Sequence, residues 1–175
     1  MELDGYSVRP LTEDDLEMVL RWRNQPRVHD RMFTKHDITW DEHYAWFKRQ
    51  EKDNPREHLI FMAEGEPIGY IGYINRCALG GGRRSLSVYI GVLRDNPLDG
   101  VYLYVLAALY GFEVLGLAHI DCETLVDNPK ALAVSRYIGF RDVREGTISV
   151  DNNTRKVQLL TMSRAEWQRI KQERF

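Results

Sequence analysis

The segment VYLYVLAALYGFEVLG, residues 101 to 116, constrains the fold more than any other stretch of the chain. Its apolar residues cover nearly every face of a helix, so this helix has to be enclosed rather than laid on a surface. Gly116 suits the residue that closes such a helix, because a left-handed end is free of penalty there. What encloses it must come from the rest of a 175-residue chain that is 43% hydrophobic. That is enough for one sizeable core and too little for two, which reads as a single domain over residues 1–175.

The flanking patterns say what the other layers are. After a short strand at YSVRP, Thr12 and Asp15 have the spacing of a capping box, and Leu16, Val19 and Leu20 recur at helical period. Pro26 disfavours helical geometry at Gln25, so Trp22, Arg23 and Asn24 fall at a helix end and in the loop beyond it. Thr39 and Glu42 form a second box, followed by His43, Trp46, Phe47 and Gln50 on one helical face. HLIFMA and PIGYIGYI read as a hairpin around EGE, and LGGGRR as a flexible connection. SLSVYIGV alternates strictly, as a half-buried strand does. AHIDCETL is a strand, and Asn128 with Pro129 starts a helix that Gly139 ends. GFRDV and KVQLLTM are strands joined at DNNTR, and SRAEWQRIKQERF is a charged closing helix. The sum is an α+β layered fold with a mixed, largely antiparallel sheet.

Bulk electrostatics exclude two classes of partner. The net charge is -2, the pI is near 6.2, and no five like charges run together, so neither nucleic acid nor a membrane surface is indicated. Cys77 and Cys122 form no CxxC and no disulfide-dense pattern; two structural thiols fit a reducing compartment. The start MELDGYSVRP lacks a signal-peptide pattern, and the expected location is the cytoplasm. Asn152-Asn153-Thr154 is then a tight turn rather than a glycosylation site. The five histidines show no close ligand spacing, so no metal is expected.

Two places carry candidate chemistry. RDNPLDG feeds the N-terminus of the core helix, where unpaired N–H groups point at any anion, although loops before helices are common. On AHIDCETL, His119, Asp121 and Glu123 share one face. A central strand covered on both faces would be apolar on both, which leaves an edge strand or the wall of a cleft.

The order of these elements, together with DNPKALAVSRYIGF, resembles the GCN5-related N-acetyltransferase family and its N-x-x-A...GF element. LRWRNQP with ITWDEHYAWF, YIGVLRDNPLDG and CETLVDNPKA look most like the branch that acetylates the C-4 amine of UDP-linked amino-dideoxy sugars in pseudaminic acid biosynthesis, which serves flagellin glycosylation. The resemblance implies acetyl-CoA and a UDP-amino sugar as substrates, with monomer or homodimer left open. It places the backbone of Ile90, Val92 and Leu93 along the pantetheine, with N–H groups near Val92 stabilising the oxyanion. The N–H groups of Asp99, Gly100, Val101 and Tyr102 would meet the pyrophosphate, although only Gly100 survives from the family's Q/R-x-x-G-x-G/A loop. Asn128 and Ala131 would flank the arm and its thiol, and Glu123 would be the base. Ser135 stands where many relatives carry a tyrosine as general acid. Arg23 and His43 match positions that touch the nucleotide sugar; read as residues alone, Arg23 is equally a solvated helix end and His43 a packing neighbour of Trp46. Two rivals share the fold: a ribosomal-protein-type peptide N-acetyltransferase and a catalytically weak acyl-CoA-binding module.

Overall fold

Leu59, Ile60 and Phe61 are all completely buried, which requires cover on both faces of the strand that carries them. The structure, a computed structural model, describes residues 1–75, 83–150 and 153–174. The chain opens with β1 (Glu2–Leu3) and β2 (Tyr6–Pro10), then a 3-10 turn (Glu13–Asp15), α1 (Leu16–Arg23), the short α2 (Pro26–His29) and α3 (Trp40–Asp53). Next come β3 (His58–Ala63), β4 (Glu66–Ile74) and β5 (Arg84–Ile90), then α4 (Asp99–Leu109), which continues into a wider π turn at Tyr110–Val114. The order closes with β6 (His119–Leu125), α5 (Pro129–Ile138), β7 (Arg141–Val150), β8 (Asn153–Ser163) and α6 (Arg164–Arg174).

Local sequence decides several of these starts and stops. The Asp15 carboxylate accepts from both the N–H and the hydroxyl of Thr12 at 2.9 Å, and Glu42 does the same for Thr39 at 2.8 and 2.9 Å, so both boxes work as their spacing predicts. Ser163 and Glu166 open α6 in the same way. Gly116 and Gly139 end their helices at φ of 72° and 115°, conformations a side chain resists.

Among the described residues eight strands form one sheet in the order β1-β2-β3-β4-β5-β6-β8-β7, antiparallel throughout except for the parallel pair β5 and β6. Alternate residues of the central strands point to opposite faces. Leu59, Phe61, Ile71 and Tyr73 pack with Val105 and Leu106 of α4 and Trp167 of α6. Ile60 and Tyr70 face Leu16, Val19 and Trp22 of α1 and Phe47 of α3. Helices therefore cover both faces, and α4 is the enclosed helix that its composition demanded. Each of its fully buried side chains of Val or Leu size contributes roughly 1.5–3 kcal/mol.

The structure also corrects the sequence reading. β6 lies between β5 and β8, so AHIDCETL is not an edge strand. Asp121 on it is 1% exposed and is held by both donors of the Arg83 guanidinium at 2.5 Å and by the Thr161 hydroxyl at 2.6 Å, a structural cluster rather than a cleft wall. Neither β1 nor α2 was expected. Cys77 and most of the LGGGRR connection fall in 76–82, and Asn152 of the expected turn in 151–152, outside the described residues; Cys122 is buried.

Candidate active site

β5 and β6 pair over three positions only, Arg84 to Leu86 with Ile120 to Cys122, and then diverge. Past Leu86 the sheet opens into a groove of about 460 Å³, the size of a small-molecule site. Its walls are β5 from Ser85 to Ile90, β6 from Cys122 to Leu125, the starts of α4 and α5, and the segment after α1.

A bulge shapes the β5 wall. Gly69 and Ile90 are register partners, and the Gly91 N–H donates to the Ile68 carbonyl at 2.7 Å. That pattern makes Gly69–Ile90 a wide pair, so the N–H and C=O of Ile90 point away from β4 and toward the groove. The Val92 N–H donates to the same Ile68 carbonyl at 3.0 Å. It is thereby committed to the sheet, whereas the neighbouring Ile90 N–H faces the groove. Of the three residues expected along the pantetheine, Ile90 lines the groove, while Val92 and Leu93, 40% and 71% exposed, lie outside its wall.

The α4 start is narrower in its offer than expected. The Asp99 N–H donates to the Asn96 carbonyl at 3.3 Å and that of Tyr102 to Leu98 at 2.9 Å. The N–H groups of Gly100 and Val101 remain in the first turn without intrahelical acceptors, and Gly100 lines the groove. The Asp99 carboxylate turns inward, accepting from the Tyr6 hydroxyl at 2.7 Å. Burial, with Asp99 beside it, pushes the Tyr6 hydroxyl up to about 12. Across the groove, Asn128 and Ala131 both line the wall, and the Asn128 side-chain oxygen caps α5 by accepting the Ala131 N–H at 3.3 Å. A free strand edge, a cavity of this volume and a helix start with two open N–H groups fit a long amide-bearing thioester with phosphate at one end.

Glu123 is half-buried in the β6 wall, the one carboxylate of the lining among the described residues. Ser135 does not reach the wall: it is completely buried and its hydroxyl donates to the Ala131 carbonyl at 2.9 Å, one helical turn back. Tyr104 of α4 does line the groove and neighbours Ser135; its pKa is raised by burial and by the Cys122 thiol and held back by the Ser135 hydroxyl. Sequence reasoning missed Tyr104 because it sits in an otherwise apolar helix. The available signal was that a buried tyrosine hydroxyl seeks a polar neighbour.

Arg23 and His43 come together on the other face of the sheet, behind Tyr89, which does line the groove. Burial lowers the Arg23 pKa, against the rings of Tyr89 and Tyr70. Burial likewise lowers that of His43, a hydrogen bond to the Leu16 backbone opposing it and the Arg23 charge adding to it. His43 is 5% exposed and stacks on Trp46 with ring centres 5.3 Å apart. The Arg23 Nη1 and the His43 Nε2 are buried with no hydrogen-bond partner. Whether Nε2 donates or accepts follows the tautomer of the ring, so it can meet either kind of partner. A guanidinium donor and an imidazole nitrogen on this face are thus unpartnered among the described residues, each costly to leave unmade.

Known proteins bear on this geometry. The acetyltransferase PseH of Campylobacter jejuni is 26% identical over 124 residues, 70% of this chain and 74% of that one. An uncharacterized protein of Methanocaldococcus jannaschii is 24% identical over 143 residues, 79% of this chain and 28% of that protein. The spermidine N-acetyltransferase of Vibrio cholerae, solved with CoA and spermine, superposes with a TM-score of 0.80 at 17% identity over 95% of this chain and 99% of that one, a likeness of fold. The family model described as an acetyltransferase (GNAT) domain matches residues 7–141. The chain belongs to the GNAT family of acetyltransferases, enzymes that move an acetyl group from acetyl-CoA to an amine.

Proposed function

We propose that this chain acetylates the amine of a nucleotide-linked amino sugar, of the UDP-4-amino-dideoxy type. The observation that carries the reading is the orphan pair, Arg23 Nη1 and His43 Nε2. A guanidinium donor and an imidazole nitrogen, both buried and unpartnered on one face, suit an acceptor substrate rich in donors and acceptors, as sugar hydroxyls and a nucleotide are. The groove lining adds Arg27, Arg31 and Lys130 against Glu123, a balance that repels a polyamine and attracts phosphate. Likeness in sequence to PseH, at 26% identity, points the same way.

In this mechanism the donor supplies an activated acetyl group. Glu123 takes the proton that the substrate ammonium sheds before or during attack, directly or through a water. The amine nitrogen bonds to the acetyl carbon, the carbon–sulfur bond breaks, and the sulfur leaves with the electron pair and gains a proton. Tyr104, which lines the groove beside Ser135, is the hydroxyl this reading assigns to that proton. The apolar walls formed by Val88, Leu103 and Val134 keep water from the thioester.

The test is acetyl transfer from acetyl-CoA to a UDP-4-amino sugar, spermidine and an N-terminal peptide in parallel. The sugar nucleotide is expected to be turned over fastest, and a faster peptide or spermidine would replace this reading. Glu123→Gln should then lower kcat about a hundredfold with the sugar nucleotide, with little change in KM, and the loss should shrink at high pH, where the amine is already neutral.

A further inference from the structure

Arg27, in the short α2, lies on the groove wall and reaches across to β5. Its guanidinium donates to the Ile90 carbonyl at 2.8 Å and to the Gly91 carbonyl beside it. The Ile90 carbonyl belongs to the β5 edge that faces the groove and that no strand pairs. Among the described residues Arg27 has no carboxylate partner; neutral backbone oxygens hold it. The segment that carries it spans both lips of the groove. At its base, Asn24 exchanges two hydrogen bonds with Ile38, at 2.8 and 2.9 Å. On the β6 side, Arg31 donates to the Asp127 carbonyl at 2.7 Å, and Phe33 packs on Leu125, Ile148, Val157 and Leu159. On the β5 side, Arg27 makes the polar tether.

An amide-bearing arm recognises a free strand edge through the same carbonyls and N–H groups that a neighbouring strand would use. Those acceptors are the ones Arg27 holds. We propose that Arg27 is a latch on the donor groove: its guanidinium occupies the backbone acceptors of β5 that the amides of acetyl-CoA take, so the donor enters by displacing it. The displaced guanidinium turns outward to water, where it is already largely exposed, so opening leaves no buried charge behind. The closed latch lowers donor affinity by the fraction of time it is open, and a latch closed nine-tenths of the time weakens binding about tenfold.

The test separates the amides from the phosphates, because removing an arginine also weakens attraction to anions. Pantetheine carries the amides and no phosphate, and its binding can be titrated by calorimetry or by NMR on the full chain. Arg27→Ala and Arg27→Met should each bind pantetheine about tenfold more tightly than the unmodified protein, and Arg27→Lys, which keeps one charged donor group, should fall between. Thermal melting of each variant checks that the fold is kept, and if Ala and Met melt low, the Lys variant decides. Pantetheine affinity that is unchanged or weaker in the folded variants overturns the latch and makes Arg27 a structural tie or a direct donor ligand.

Discussion

Two buried polar clusters in this protein contrast in their hydrogen bonding. Around Asp121 every oxygen has a donor, from Arg83 and Thr161, and the cluster ties β6 to β8 and to the start of β5. Around Arg23 and His43 a guanidinium donor and an imidazole nitrogen have no partner among the described residues. The first arrangement is what a fold needs, since buried charge has to be compensated. The second is costly unless something outside the chain completes it, and so it marks the place where a substrate is expected.

Removing Asp121 should produce the largest effect. Asp121→Ala removes the buried carboxylate that pairs with Arg83 and is expected to lower stability by roughly 3–4 kcal/mol in urea denaturation, near the low end for a broken buried pair because Arg83 keeps partial access to water. A loss below about 1 kcal/mol would break the contrast, since the satisfied cluster would then be no more structural than the orphan one.

His58 sharpens it from the same side of the sheet as Arg23. It is 4% exposed but bonded on both nitrogens, to the Tyr70 hydroxyl at 2.6 Å and the Gln50 side chain at 3.0 Å, and burial lowers its pKa to about 4. In the unfolded chain the ordinary value is near 6.5. Between those values the unfolded state binds the extra proton, so stability rises with pH across this window and is lost as pH falls through it. The expected loss from pH 6.5 to 4 is about 3 kcal/mol, and His58→Gln should flatten that part of the profile. A variant with an unchanged slope would assign the acid sensitivity elsewhere.

Ser135 gives the smallest effect. Its hydroxyl is spent on the Ala131 carbonyl, a bond worth about 1 kcal/mol. Ser135→Ala should therefore cost about that in stability and less than tenfold in kcat, whereas Ser135→Tyr should overpack a site already filled by Tyr104, at about 1–3 kcal/mol. A thousandfold loss of kcat in the alanine variant, with donor binding intact, would make the serine a proton relay.

How much could be read in advance follows the range of the interactions. The Thr12, Thr39, Ser163 and Asn128 caps were legible because each closes within three residues. The enclosed α4 was legible from composition alone. The polar face of AHIDCETL was visible, but its meaning was not: the partner of Asp121 is 38 residues away, and nothing local distinguishes a paired aspartate in a central strand from one on a cleft wall. The same holds for Asp99, whose carboxylate answers to Tyr6 across 93 residues, and for Arg27, which reaches carbonyls 63 and 64 positions on. Nothing local showed that a bulge commits the Val92 N–H to Ile68 while the Ile90 N–H faces the groove. Resemblance to a family located the groove; the hydrogen bonds decided which of its residues face it.

The central claim is that Arg23 and His43 await an acceptor substrate, and a calorimetric titration of UDP into the protein loaded with acetyl-CoA tests it most directly. UDP is expected to bind, and Arg23→Ala to weaken it by about 1.5–3 kcal/mol, the worth of a charged hydrogen bond, while acetyl-CoA affinity and the melting temperature stay unchanged. No heat with UDP at millimolar concentration, or an Arg23→Ala protein that binds it equally well, would contradict the account.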